Sequence, residues 1–88
     1  MKTINKREWK EVINKINLKR VGFHEAVQAG EEDVAREYYL EIRAEFEMAI
    51  SIIPVWSWVF KRKAVVYFNT AMAEMEQSFE EKYDKFLP

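Results

Sequence analysis

The sequence predicts an all-α fold, a compact three- or four-helix bundle with two long C-terminal helices. Glycine and proline occur only twice each in 88 residues, which is too few for the turns of a β-rich domain. Apolar residues make up 49% of the chain and aromatic residues 15%, which is enough for a packed core. The apolar residues recur every three or four positions, as on the buried face of a helix. The length predicts a single helical domain over residues 1–88.

The first helix is predicted to begin after Asn5, because Asn5 followed three positions later by Glu8 is the pattern of a capping box. We expect this helix to end between Arg20 and Gly22. Its apolar stripe consists of Trp9, Val12, Ile13 and Ile16.

The next segment, residues 23–29, is predicted to form one or two helical turns that stop at Gly30. A third helix is expected over residues 31–53. It starts with three acidic residues, where the helix dipole favours negative charge, and Pro54 ends it. The last helix is expected from residue 57 to residue 83 or 86.

Each long predicted helix carries one main apolar stripe. The stripe of the third helix is Ala35, Tyr38, Tyr39, Ile42, Phe46, Ala49 and Ile53, and that of the last helix is Phe60, Ala64, Tyr67, Phe68, Ala71, Met72, Met75, Phe79 and Tyr83. The third helix has a second seam on its opposite side, formed by Leu40, Ala44, Met48 and Ile52. Since a surface helix normally has one apolar face, either this helix is central in the bundle or one of its faces meets another chain. In the second case Leu40 and Met48 are predicted to contact a partner, with a homodimer as one candidate.

The residues of catalysis are mostly missing from the sequence. There is no cysteine, and His24 is the only histidine, so neither a thiolate site nor a histidine pair for a metal exists. No glycine-rich phosphate loop occurs. A ridge of Glu37, Glu41 and Glu45 is typical of a solvated helix face. We therefore expect a protein that is not an enzyme and that takes neither a cofactor nor a metal.

The amino terminus is charged and lacks the apolar core of a signal peptide, and the longest apolar run is too short to cross a bilayer. Together with the absence of cysteine, this favours a soluble cytoplasmic protein.

The most unusual stretch of the sequence holds two tryptophans and three basic residues. Trp56 and Trp58 would diverge by roughly 200° on a helix, so at most one of them is expected to enter the core. Tryptophan and arginine are enriched in interface hot spots, so Trp56, Trp58, Lys61, Arg62 and Lys63 are predicted to bind a protein partner. One alternative is a helix corner plugged by aromatic rings. A membrane anchor is disfavoured because the following helix is balanced in charge.

Charge is distributed unevenly along the chain. Residues 1–20 hold seven Lys and Arg against two Glu, whereas residues 21–54 hold two Arg against eight acidic residues. The simplest interpretation is that the basic first helix and the acidic third helix attract each other. The alternative is a nucleic-acid site, in which the first helix binds phosphate. Its basic residues are Lys2, Lys6, Arg7, Lys10, Lys15, Lys19 and Arg20.

These observations predict a non-enzymatic protein–protein interaction module, with a nucleic-acid-binding helical domain as the alternative. A small helical protein without cysteine or an active site is similar in format to phage-encoded inhibitors of host defence, including anti-CRISPR proteins. The similarity is one of format, and no motif carries it. It implies a viral inhibitor that occupies the surface of a larger protein.

Overall fold

The structure, a computed structural model, describes residues 3–87, and its regular elements are three helices. They are α1 (Lys6–Gln28), α2 (Glu32–Ser51) and α3 (Trp58–Tyr83). The predicted all-α bundle is confirmed, with three helices, and the ends of α2 and α3 fall within three residues of their predicted positions. The molecule is elongated, measuring 42 × 18 × 17 Å.

The predicted capping box at Asn5 and the predicted helix stop at Gly30 are both present. The backbone N–H of Glu8 donates to Asn5 Oδ1 over 2.9 Å, and the backbone N–H of Asn5 donates to Glu8 Oε1 over 3.3 Å. This is a complete capping box. At the other end Gly30 takes a φ of 77°, a left-handed conformation that glycine adopts without strain.

The prediction that the first helix ends between Arg20 and Gly22 is wrong. α1 runs without interruption through Gly22 to Gln28, so residues 23–28 belong to it. Phe23, Ala26 and Val27 continue the buried face of α1 on which Ile16 lies two turns before Phe23. Burial of that face outweighs the roughly 1 kcal/mol by which glycine disfavours a helix interior.

α1 and α3 run parallel to each other, and α2 runs antiparallel to both. At one end of the molecule, the backbone N–H of Ile4 donates to the carbonyl oxygen of Ile52 over 3.0 Å. At the other end, the Tyr83 hydroxyl donates to the carbonyl oxygen of Val27 over 3.1 Å. The amino-terminal ends of α1 and α3 therefore lie beside the carboxyl-terminal end of α2.

The core follows the predicted apolar stripes. Its largest fully buried side chains are Phe23, Phe46, Phe79, Ile16, Ile42 and Met75. A smaller cluster at the end near Ile4 consists of Ile4, Ala49, Ile53 and Ala64. In the second seam, Leu40, Ala44 and Met48 are exposed, whereas Ile52 is half-buried against the small cluster.

Two basic residues near the middle of α1 form three ion pairs with the other helices. Lys19 Nζ lies 2.9 Å from Glu45 Oε1 and 3.7 Å from Glu41 Oε2, both on α2. The hydrogen bond to Glu45 raises the pKa of Lys19. Arg20 Nη2 lies 2.8 Å from Glu74 Oε2 on α3. The expected attraction between the basic helix and the acidic helix therefore rests on Lys19.

Gly22 permits a close approach between α1 and α2. A Cβ atom at this position would lie 2.7 Å from Cζ and 2.9 Å from the hydroxyl oxygen of Tyr38. We predict that Gly22→Ala does not stabilise the wild-type protein, because the gain in helix propensity is offset by displacement of the Tyr38 ring. In a Tyr38→Ala background the same change should stabilise by about 1 kcal/mol. Urea unfolding of the four proteins measures this coupling, and equal effects of Gly22→Ala in both backgrounds would refute it.

Tyr39 of α2 donates a 2.6 Å hydrogen bond to Glu76 Oε2 of α3. Burial, and then the bond to Glu76, raise the pKa of Tyr39 from 10.0 to about 12. The folded state thus holds this proton to a higher pH than the unfolded chain. Its contribution to the free energy of unfolding is complete below pH 10 and falls as the pH rises towards about 12.

In a titration of tyrosinate absorbance, we expect Tyr39 to ionise late, with a midpoint near pH 12. Tyr39→Phe should remove that late component and leave the remainder of the curve in place. A late component that persists in Tyr39→Phe would assign the raised pKa to another tyrosine.

Candidate functional site

The best-formed concave surface lies at the end of the molecule where α1 and α3 begin. The start of α1, residues 56 and 57 of the connecting loop and the first three turns of α3 line a cleft of about 510 Å³. We call it the aromatic cleft, after the five rings that line it. They are those of Trp9, Trp56, Trp58, Phe60 and Tyr67.

The rings of Trp9 and Phe60 form the inner wall of the aromatic cleft. Their centroids are 6.1 Å apart and their planes meet at 82°, an edge-to-face arrangement. Both side chains are partly buried and pack against the small cluster around Ile53 and Ala64. They therefore form a fixed wall between the cleft and the core.

Trp56 and Trp58 form the outer wall, and neither enters the core. Trp56 is 82% exposed in the loop, and Trp58, the first residue of α3, is 65% exposed. The helix corner is filled by Trp9 and Phe60 instead. The expected divergence of the two tryptophans applies within a helix, whereas Trp56 precedes α3. Both side chains consequently line the same cleft.

The charges that line the aromatic cleft are all positive. They belong to Lys6, Lys10 and Lys63, and no acidic residue between positions 3 and 87 lines it. The two acids of the first turns of α1, Glu8 and Glu11, line a separate depression on another flank of that helix. The cleft is therefore both aromatic and cationic, a combination suited to an anionic partner that has an apolar part.

The start of α3 adds to the positive character of this end. Its first turn contains no acidic residue, and the side chain of Ser57 makes no capping hydrogen bond. Of the predicted basic residues nearby, Lys63 lines the cleft, whereas Lys61 and Arg62 do not.

The basic residues of α1 do not form one surface. Lys6 and Lys10 line the aromatic cleft, while Lys15 lines the depression that holds Glu8 and Glu11. Lys19 and Arg20 are held by ion pairs. The remaining two candidates are Arg7, which is exposed, and Lys2, which lies outside the described residues. The predicted phosphate-binding residues that the structure describes therefore lie on several sides of the helix.

Sequence reasoning assigned Trp9, Phe60 and Tyr67 to the core and so missed their part in the cleft. Tyr67 is 37% exposed, and its ring lies 6.0 Å from that of buried Phe46. Each of the three side chains has one side against the core and another in the cleft. Helical periodicity reports only the first of these. The other predicted partner residues, Leu40 and Met48, do not line the cleft and form a separate exposed strip on α2.

Within residues 3–87 there is no group of three or more His, Cys, Asp or Glu side chains placed to hold a metal ion. None of the helices in that range is long and apolar enough to cross a membrane. No protein-family model matches the chain, and the comparisons with curated proteins and solved structures found no significant match.

The charge of the cleft leads to a prediction about quenching of tryptophan fluorescence. Iodide should quench Trp56 and Trp58 more efficiently than caesium, because the lysines concentrate anions beside the exposed rings. The double variant Lys10→Glu, Lys63→Glu should lower the iodide quenching constant by about twofold at low salt.

The matched control is Lys15→Glu, Lys82→Glu, which reverses the same number of charges on exposed residues that do not line the cleft. We expect this control to keep the iodide preference of the wild type. Equal losses in the two double variants would mean that net charge, and not the cleft, governs quenching.

Proposed function

We propose that the protein is a non-enzymatic interaction module that binds another protein in the aromatic cleft. One observation carries the proposal: Trp56 and Trp58, which are separated by one residue, line the same cleft and are 82% and 65% exposed. At about 25 cal/mol per Å², covering a tryptophan ring removes roughly 3–5 kcal/mol of unfavourable hydration. Exposed apolar surface of this kind marks contact sites on small proteins.

Neighbouring side chains extend the apolar surface beyond the two tryptophans. Val55 in the loop is 84% exposed, and Val59 in the first turn of α3 is 48% exposed. Partner contacts that centre on a well-packed aromatic anchor and spread over such neighbours are typical of protein interfaces. The inner wall of Trp9 and Phe60 supplies the fixed surface against which a partner side chain can pack.

Binding of this kind makes the protein an inhibitor when the covered surface of the partner is its working surface. A viral, anti-CRISPR-like inhibitor would act in this way, by covering the working surface of a host protein. This role rests on format alone, a small helical chain that would act by contact.

The exposed strip of Leu40 and Met48 offers a second contact, in which two copies of the chain pair across α2. These side chains are 48% and 71% exposed. They are two turns apart and lack the aromatic anchors of the cleft, so we rank this homodimer below a contact with another protein. Sedimentation of the purified chain as a monomer at micromolar concentration would eliminate it.

The experiment that tests the proposal is an affinity capture from bacterial lysate with three forms of the protein. The first form is the wild type, and the second is the double variant that carries both Trp56→Ala and Trp58→Ala. The third is the matched control, a double variant that carries both Leu40→Ala and Met48→Ala. All four side chains are exposed, so we expect each variant to keep the helicity of the wild type and a free energy of unfolding within about 0.5 kcal/mol.

We expect a protein captured in stoichiometric amount by the wild type and by the control, with at least about tenfold less captured by the tryptophan variant. Loss in the control alone would move the contact to α2. Capture of no protein, or equal capture by all three forms, would contradict the proposed role of the cleft.

A further inference from the structure

We propose that the segment bound in the aromatic cleft is an acidic stretch of polypeptide with an aromatic or large aliphatic side chain among its carboxylates. This inference rests on the proposed function, because it names the chemistry of the partner that the cleft accepts.

The first argument is charge complementarity. Lys6, Lys10 and Lys63 line the cleft, and in the part of the chain that the structure describes no acidic side chain lines it with them. Within the described residues, none of the three forms an ion pair, whereas Lys19 and Arg20 further along α1 do. Each lysine that meets a carboxylate at such a partly exposed site strengthens binding by about two- to fivefold. A basic partner would instead place like charges together.

The second argument is the apolar part of the cleft. Its inner wall is made by Trp9 and Phe60 over the buried methyl group of Ala64. Its volume of about 510 Å³ falls in the range of roughly 300–1,000 Å³ that is usual for ligand pockets. An apolar side chain seated between this wall and the exposed tryptophans would hold the flanking carboxylates near the lysines.

A single-stranded nucleic acid also combines negative charge with flat rings, but the rest of the surface disfavours it. Such a strand carries one charge per nucleotide and needs a basic groove that follows its backbone. Beyond Lys63 the next charged residues of α3 are Glu74 and Glu76, and both are exposed. The net charge of the whole chain is −1. A short acidic peptide confines its charge to the cleft, whereas a polyanion that continued along α3 would find no further basic residue before Glu74 and Glu76.

The test is a selection from a displayed library of random 12-residue peptides on the immobilised wild-type protein, with the variant Trp56→Ala, Trp58→Ala for counter-selection. Selected peptides are then synthesised with a fluorescent label. Their affinity for three proteins is measured by fluorescence anisotropy. The proteins are the wild type, the double variant Lys10→Glu/Lys63→Glu and the matched double variant Lys15→Glu/Lys82→Glu. A labelled 12-nucleotide oligothymidylate is measured alongside them.

We expect the selected peptides to be enriched in Asp and Glu around an aromatic or large aliphatic residue. They should bind the double variant Lys10→Glu/Lys63→Glu about tenfold more weakly than the wild type, and should bind the control as tightly as the wild type. Their affinity for the wild type should fall with added salt. Peptides without acidic enrichment that still require the tryptophans would overturn the inference and leave the proposed protein-binding function standing.

Two other outcomes overturn the inference. The first is that no selected peptide depends on the tryptophans for binding. In that case the lysate capture tests the proposed function separately. Tighter binding of the oligothymidylate than of every selected peptide, with the same sensitivity to Lys10→Glu, Lys63→Glu, would assign the cleft to nucleic acid and overturn the proposed function as well.

Discussion

The arrangement of the three helices depends on the packing of the Phe46 ring against aromatic rings of the other two helices. The Phe46 ring lies fully buried on α2, and its centroid is 6.3 Å from the ring of Trp9 on α1 and 5.2 Å from that of Phe68 on α3. The ring of Tyr67 on α3 lies 6.0 Å away. Trp9 and Tyr67 each reach from Phe46 to the surface, where they line the aromatic cleft. The cleft is therefore the outer side of the same aromatic packing that joins the helices.

The direction of the helices explains why this end of the molecule is cationic. Because α1 and α3 run parallel, their amino-terminal ends lie side by side, each with the positive end of its dipole. The carboxyl-terminal end of the antiparallel α2 lies beside them and offsets part of that charge. α1 has an acidic residue in its capping box, whereas α3 has none in its first turn. Lysines at this end consequently add to a positive potential that the fold already creates.

Four of the basic residues of α1 form two pairs with different roles. Lys19 and Arg20 face α2 and α3 and hold carboxylates at 2.9 and 2.8 Å, so their charges serve the packing of the bundle. Lys6 and Lys10 lie beyond the reach of those acidic residues and line the cleft. A single run of basic residues along the sequence therefore supplies both helix-to-helix ion pairs and the charge of a binding surface.

Much of the fold was predictable from the sequence because its causes are local. The capping box of Asn5 and Glu8, the stop at Gly30 and the buried stripe from Ala35 to Ile53 depend on residues within a few turns of one another. The passage of α1 through Gly22 depends on burial of Phe23, Ala26 and Val27 against the other helices, so local signals misplaced the end of that helix.

Only the tertiary structure decided which side chains form the candidate site. The sequence singled out Trp56, Trp58 and Lys63, and it marked Lys6 and Lys10 as basic. It did not indicate that these five lie on one cleft together with Trp9. Periodicity describes the faces of one helix, whereas the cleft is made where the ends of two parallel helices and a loop come together. That meeting depends on the direction and packing of all three helices, which no single stretch of the sequence specifies.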